Sequence, residues 1–281
     1  MTDTSNSSTT QYTYIVHPGL NLKTQVDHVV IALLPRGMLI AGFNAPGDIL
    51  AAAYTAYKKA MPQWIYDFFE HRFTEEPLLS VPAKVKAIFV ASEKYLLVPH
   101  ELFDEQEASS WLKELYFVES NDTTDIYSLD SGEAHYVYAF PSGVRSLANR
   151  YYPQAAILPL SAYQFFKPFK SDIAIQCCIT SETAIATLYN NKAILWHQTF
   201  GYDTAEDIVY QLRLALSQYR LDHEQASLTA FVVSKDQNEV LTELSQYFPQ
   251  LQYRSNAINR EDVQEWTPTI SLIQQLFSCV S

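Results

Sequence analysis

Glycine is scarce in this chain: there are seven among 281 residues, and only Gly201 after residue 168. Loops that cradle phosphate through backbone N–H groups need glycine where the chain must come close to the anion. The one cluster, Gly37, Gly42 and Gly47, recurs every five residues, which fits neither the dinucleotide fingerprint nor the P-loop and reads as turns and a strand bulge. Cysteine is rarer still, at Cys177, Cys178 and Cys279. Adjacent strand residues point to opposite faces, so 177 and 178 make a poor disulfide, and no second pair completes a zinc site. The seven histidines contain no pair at ligand spacing, so neither a metal nor a cofactor is expected. Cations are outnumbered, with Lys+Arg 19 against Asp+Glu 31 and a net charge of −12, which opposes nucleic acid or an anionic membrane as a partner. No apolar run reaches transmembrane length, and Met1–Gln11 lacks a basic n-region and an apolar h-region. The expectation is a soluble protein, unexported, in the reducing cytoplasm.

With 48% hydrophobic residues the chain can bury a sizeable core, and its length suits two domains. The most legible stretch is 171–222. Asp172–Ile179, Thr183–Tyr189 and Ala193–Phe200 are rich in β-branched and aromatic residues, separated by polar turns at Ser181-Glu182 and Asn190-Asn191, and predict an antiparallel meander. Thr204 and Asp207 form a capping-box pattern ahead of a helix whose Ile208, Leu212, Ala215, Leu216 and Tyr219 recur at helical spacing. Leu228–Ser234 reads as a parallel strand inside the sheet, Asn238–Tyr247 as a helix capped by Ser234 and Gln237, Leu251–Arg254 as a short strand, and Thr267–Val280 as a last helix. The order is βββαβαβα. That order is used by ribonuclease H-like and actin-like ATPase domains.

In the first half, Met1–Gln11 reads as a disordered polar tail, His28–Leu34 and Met38–Phe43 as a hairpin turning at Pro35-Arg36-Gly37, and Ile49–Met61 as a helix capped by Asp48. Trp64–Phe73 is a further helix. Lys86–Ala91 and Tyr95–Val98 read as a second strand pair, followed by a helix capped by Asp104 with Glu107 and ending near Phe117. Ile126–Leu129 and Ala134–Phe140 form a third pair turning at Asp130-Ser131-Gly132. Ser142–Tyr152 is a helix, Ala156–Leu158 a short strand, and Ser161–Phe169 a helix into the second half. Its aromatics Tyr163, Phe165, Phe166 and Phe169 read as core. The organisation expected is a lead-in over 1–20, a first domain over 21–168 with inserted hairpins, and a second over 169–281.

The run from Phe89 to Asp104 resembles a strand-pair segment of a bacterial domain-of-unknown-function family, family 3822, most specifically in Leu97-Val98-Pro99-x-x-Leu102-Phe103. The resemblance covers roughly residues 22–281 as an order of elements. It implies an α/β fold of duplicated ribonuclease H-like, actin-like ATPase domains, and it implies no activity.

Such a fold suggests ATP hydrolysis between the domains, but the residues argue against it. Those ATPases place Asp-x-Gly at the first hairpin turn of each domain, where glycine admits phosphate and the carboxylate holds hydrated Mg²⁺. Here the turns are Pro35-Arg36-Gly37 and Ser181-Glu182-Thr183. The paired glycines of an adenosine loop are missing too. Two-metal nuclease chemistry needs carboxylates converging from the first strand, the first helix and the fourth strand. Glu206, Asp207 and Asp236 are suitably spaced, but the first strand's interior is Ile175-Gln176-Cys177-Cys178, and helix capping accounts for Glu206 and Asp207. Phe140-Pro141-Ser142-Gly143 lacks the first glycine of a nucleophile elbow, so Ser142 reads as an N-cap. No catalytic residue is assigned.

One feature points to binding. Residues 101–133 hold ten acids against the single base Lys113. A solvated face explains many such runs; a docking surface for a basic protein partner is the sharper reading, with Glu101, Asp104, Glu105, Glu107, Glu114 and Glu119 as its residues. The function expected is a non-catalytic adaptor or scaffold with a degenerate nucleotide site. The alternative is a divergent ATPase or phosphotransferase binding ATP and Mg²⁺ in the interdomain cleft.

Overall fold

The computed structural model describes residues 9–15, 19–57, 65–129, 131–165, 171–252 and 265–281. The chain divides into two compact units, Met1–Leu160 with Val280–Ser281, and Ser161–Cys279. Among the described residues no helix is long and apolar enough to cross a membrane.

The first unit runs β1 (Thr9–Ile15), α1 (Leu22–Gln25), β2 (His28–Leu34), β3 (Gly37–Phe43), β4 (Ile49–Tyr57), α2 (Ile65–Glu75), β5 (Val85–Val90), β6 (Lys94–Pro99), α3 (Ala108–Leu115), β7 (Asp122–Ser128), β8 (Ala134–Pro141), α4 (Ser142–Tyr151) and β9 (Ala156–Pro159). A six-stranded sheet has the order β1-β4-β3-β2-β5-β9, and a separate three-stranded sheet the order β6-β8-β7. The β2–β3 hairpin forms as the spacing predicts, and β2 then pairs in parallel with β5. Ala87, Ile88 and Phe89 of β5 are buried, as a central parallel strand requires.

Several expectations for this unit are corrected. Ile49–Tyr57 is a strand and not a helix. Its alanines favour a helix locally, but Ala51, Ala52 and Ala53 are buried in a segment hydrogen-bonded to β1 on one side and β3 on the other. Asp48 serves a turn, its backbone N–H donating to Asn44 Oδ1 at 2.7 Å. Thr9–Gln11, read as tail, begin β1 and pair with β4; residues 1–8 lie outside the described residues. β5 and β6 are adjacent in sequence but do not pair. Ser92 between them donates to Ala139 O at 2.6 Å and hands the chain to β8, so β6 opens the second sheet. The helix after β6 starts at Ala108, with Asp104 taken up by an Asx turn onto Gln106 N at 2.9 Å and Glu107 at the cap position without a side-chain bond. Ser142 is the first helical residue, not the cap; Pro141 precedes it, and Ser142 N donates to Asn121 O at 2.8 Å.

The second unit opens on a 3-10 turn, Leu160–Phe165, that begins in the first. It then runs β10 (Ile173–Ile179), β11 (Thr183–Asn190), β12 (Ala193–Gly201), α5 (Ala205–Gln218), β13 (Ser227–Val232), α6 (Asn238–Tyr247), β14 (Leu251–Gln252) and α7 (Thr267–Ser278). The sheet order is β12-β11-β10-β13-β14. The first three strands are antiparallel and the last two parallel, which is the meander with crossovers expected. The β11–β12 turn falls one residue later than predicted, with Asn191 and Lys192 at positive φ. Alternate residues Ile175, Cys177 and Ile179 face Ile208, Leu212 and Leu216 of α5 in one core. Burying each such side chain contributes about 1.5–3 kcal/mol. Tyr219, expected on that face, is exposed and caps the helix instead. Cys177 and Cys178 are both fully buried, and burial pushes the Cys178 thiol up to about 12. Tyr163 is core; Phe166 and Phe169 lie outside the described residues.

Candidate functional site

The two hairpin turns that would carry phosphate loops are both closed, one by the backbone of β4 and the other by a threonine side chain of the turn. In the β2–β3 turn, a Cβ added at Gly37 would sit 2.9 Å from Thr55 O. Glycine is therefore needed there for the approach of β4, which Tyr57 N seals by donating to Arg36 O at 2.8 Å. In the β10–β11 turn, Thr183 N donates to Thr180 Oγ1 at 3.0 Å and Glu182 N to the same oxygen at 3.4 Å. Thr180 N donates to Thr183 O at 2.8 Å. The amides that a phosphate loop would turn outward are thus consumed within the turn.

The N-terminus of α5 is closed in the same way. Asp207 Oδ2 accepts from Thr204 N at 2.9 Å and Asp203 N at 3.1 Å, and Thr204 Oγ1 accepts from Asp207 N at 3.4 Å. The hydrogen bond from the Thr204 backbone, then that from Asp203, holds the Asp207 carboxyl below the usual range. Between this cap and the β10–β11 turn lies a cavity of about 570 Å³ lined by Glu182, Asp203 and Asp207, so an anion entering it meets carboxylates. Asp236 offers its N–H to Ser234 Oγ in the cap before α6. Among the described residues, no group of three or more His, Cys, Asp or Glu could hold a metal ion.

The most apolar pocket described lies in the first unit, at the carboxyl ends of the parallel strands β2 and β5, where open sheets commonly take ligands. It measures about 460 Å³ and is walled by Leu33, Phe69, Val90 and Phe140. Two of its charged groups are matched to each other: Lys94 Nζ donates to Asp122 Oδ2 at 2.6 Å, and that carboxylate is only 3% exposed. Glu119 N donates to the same oxygen at 3.1 Å. Tyr66, on the pocket wall, has its hydroxyl pKa raised by burial and then by the charges of Asp122 and Glu119. Its ring lies on Gly143, where an added Cβ would come within 3.0 Å of it. Ser92 is engaged with Ala139 O. The pocket can hold an apolar group; it presents no poised nucleophile and base.

Asp122 follows Lys94 by 28 positions, and nothing in the sequence linked them. A second meeting also went unread: His100 Nδ1 lies 2.9 Å from His135 Nε2, and Ser128 Oγ lies 3.0 Å from His135 Nδ1. Phe103 stacks on His135 with centroids 3.9 Å apart. Partial burial and then the neighbouring His100 hold the His135 pKa below its ordinary value. The signal was available only as strand register, since Val98 pairs with His135.

The predicted partner-binding acids Glu101, Asp104, Glu105, Glu107, Glu114 and Glu119 are all exposed around α3 and its flanks. Asp122 and Asp125 of the same run behave differently, being paired with Lys94 and Arg145. Asp130 lies outside the described residues.

Residues 20–251 match the family described as "Protein of unknown function (DUF3822)". The chain belongs to this family. No curated protein matches it. Among solved structures, this DUF3822 member is similar to a protein of Bacteroides thetaiotaomicron described as having an actin-like ATPase fold and unknown function. That match has 18% identity and a TM-score of 0.70, over 88% of this chain and 98% of that one. It is also similar to a structure of the PilM-PilN type IV pilus biogenesis complex, at 11% identity and a TM-score of 0.58, over 92% of this chain and 99% of that one. The DUF3822 chain has an actin-like ATPase, ribonuclease H-like fold.

Proposed function

We propose that this protein is a non-catalytic adaptor or scaffold that keeps the actin-like fold with a degenerate nucleotide site and docks a basic protein partner. The observation that carries the reading is the closure of the β10–β11 turn, where Thr180 Oγ1 accepts the Glu182 and Thr183 amides. The capped start of α5 and the carboxylates beside it add to this, because an anion would have to displace native hydrogen bonds and face like charge. A structural relative is found in a complex, PilM with PilN, which fits a fold used to hold another protein. The docking surface proposed is the exposed acids from Glu101 to Glu119, whose field favours encounter with a basic patch and is screened by salt.

The test is thermal denaturation with Mg-ATP. A ligand at a hundred times its Kd adds about 2.7 kcal/mol of stability, and no shift in Tm is expected at millimolar Mg-ATP. A clear rise would overturn the reading in favour of a divergent ATPase or phosphotransferase.

A further inference from the structure

Leu102, Leu115 and Phe117 are exposed by 70%, 66% and 85% respectively, and all belong to α3 or the segments flanking it. They are not scattered. Phe103, next to Leu102, meets Trp111 edge-on with ring centroids 6.2 Å apart. Leu115 lies one turn beyond Trp111 on the same side of α3, and Phe117 follows the helix end. The inner side of α3 is already used, since Ala108 and Leu112 pack on Val137 and Ala139 of β8. The strip from Leu102 to Phe117 is therefore apolar surface that folding does not consume.

Its rim decides what can cover it. Glu101, Asp104, Glu105, Glu107, Glu114 and Glu119 are exposed, and none has an ion-pair partner among the described residues. Lys113 is the one base in the run. A second copy of this chain, at net −12, would be repelled at long range, and an anionic bilayer likewise. The exposed apolar residues of α5 differ, because a base stands among them: Arg213 stacks over Tyr247, whose hydroxyl donates to Glu206.

We infer that the α3 strip is a seat for a basic amphipathic helix of a partner protein, its apolar residues at helical spacing on Trp111, Leu115 and Phe117 and its lysines or arginines over the acidic rim. The inference rests on the adaptor reading and names the partner class of that surface.

The experiment uses the full chain and a labelled Leu/Lys peptide with leucines at helical spacing, read by fluorescence anisotropy. A scrambled peptide of the same composition and a Leu/Glu peptide of the same pattern serve as comparators. The ordered Leu/Lys peptide should bind about tenfold or more tightly than the scrambled one, and the Leu/Glu peptide should not bind. Leu115→Ser/Phe117→Ser should weaken binding about tenfold at every salt concentration. Glu105→Lys/Glu107→Lys/Glu114→Lys should slow association several-fold at low salt and little at high salt. These positions are exposed, so folding should survive; Tyr210→Ser/Leu214→Ser on α5 should leave binding unchanged. Equal binding of ordered and scrambled peptides, insensitivity to Leu115→Ser/Phe117→Ser, or loss only with the α5 variant would each overturn the inference. Self-association abolished by Phe117→Ser would overturn it too, by making a second copy the occupant. The Mg-ATP melt separates the two levels: stabilisation by Mg-ATP removes the adaptor reading, whereas no stabilisation and no peptide binding remove only this seat.

Discussion

In the five-stranded sheet β10 is covered on both faces, with Ile175, Cys177 and Ile179 toward α5 and Cys178 against Tyr163. In the three-stranded sheet β8 is likewise buried from Tyr136 to Phe140, and α4 meets β7 and β8, but the face of Val137 and Ala139 carries only the short helix α3, seated through Ala108 and Leu112. Polar groups divide in the same way. Around the larger core the turn and cap groups are consumed locally, as in the Thr180 turn and the Thr204–Asp207 cap, and Thr187 Oγ1 bonds both Gln164 Oε1 and His197 Nδ1, while Gln176 Oε1 is buried without a hydrogen bond among the described residues. Around α3 the carboxylates from Glu101 to Glu119 have no ion-pair partner among the described residues, beside exposed leucine and phenylalanine. A fold that satisfies its own turns has nothing left there to offer a ligand, whereas a small lobe with unspent charge and apolar surface does.

Acid should expose this contrast most strongly. His197 is half-buried in β12 with its ring Nε2 out of solvent, and this desolvation lowers its pKa from an ordinary 6.5 to about 3. A base with a depressed folded pKa is neutral in the native state, while the unfolded chain takes up the proton first. Its contribution is fully present above 6.5 and is lost as pH falls toward 3, by on the order of 5 kcal/mol in total. Trp196 in β12 and Trp111 in α3 report separately when the other tryptophans are replaced by phenylalanine. The Trp196 signal should collapse at higher pH than the Trp111 signal; coincident collapse, or undiminished acid sensitivity in His197→Gln, would break the contrast.

Truncating the two fully buried leucines sharpens it. Leu212 lies in the large core and Leu112 in the small one, both at 0% exposure. Leucine-to-alanine changes in cores cost about 2–5 kcal/mol, more where the surroundings cannot close in. Leu212→Ala should fall in the upper half of that range and Leu112→Ala in the lower half, measured by urea unfolding. Equal costs would mean that α3 is locked as firmly as α5.

The helix starts give the smallest effect. Thr204→Ala removes a cap bond and should cost about 1 kcal/mol, while Glu107→Ala, whose side chain makes no cap bond, should stay within about 0.5 kcal/mol. A cost for Glu107→Ala as large as that for Thr204→Ala would show that the acidic rim is structural.

The second unit was legible because each local signal agreed with its surroundings: the Thr204–Asp207 box, the period of α5 and the continuous apolar run of β13 all point to one arrangement. In the first unit they conflict. Ala51–Ala53 favour a helix in isolation and become a strand because β1 and β3 supply ladders on both sides, and the Thr-Tyr alternation of β1 was hidden by its polar neighbours. The separation of β5 from β6 turned on one side chain, Ser92, reaching Ala139. Of the binding surface, the acids could be read from composition. The exposed apolar strip and the pairing of Asp122 and Asp125 could not, since both depend on which residues a tertiary fold leaves outside.

The contact between Tyr66 and Gly143 ties α2 to α4 in a way that should be visible across related sequences. A methyl group at 143 would press on the ring from 3.0 Å, so alanine or anything larger there requires the aromatic at 66 to shift or shrink. The two positions are therefore expected to covary through the family: glycine opposite a tyrosine or phenylalanine, and a larger residue at 143 only where 66 has given up its ring.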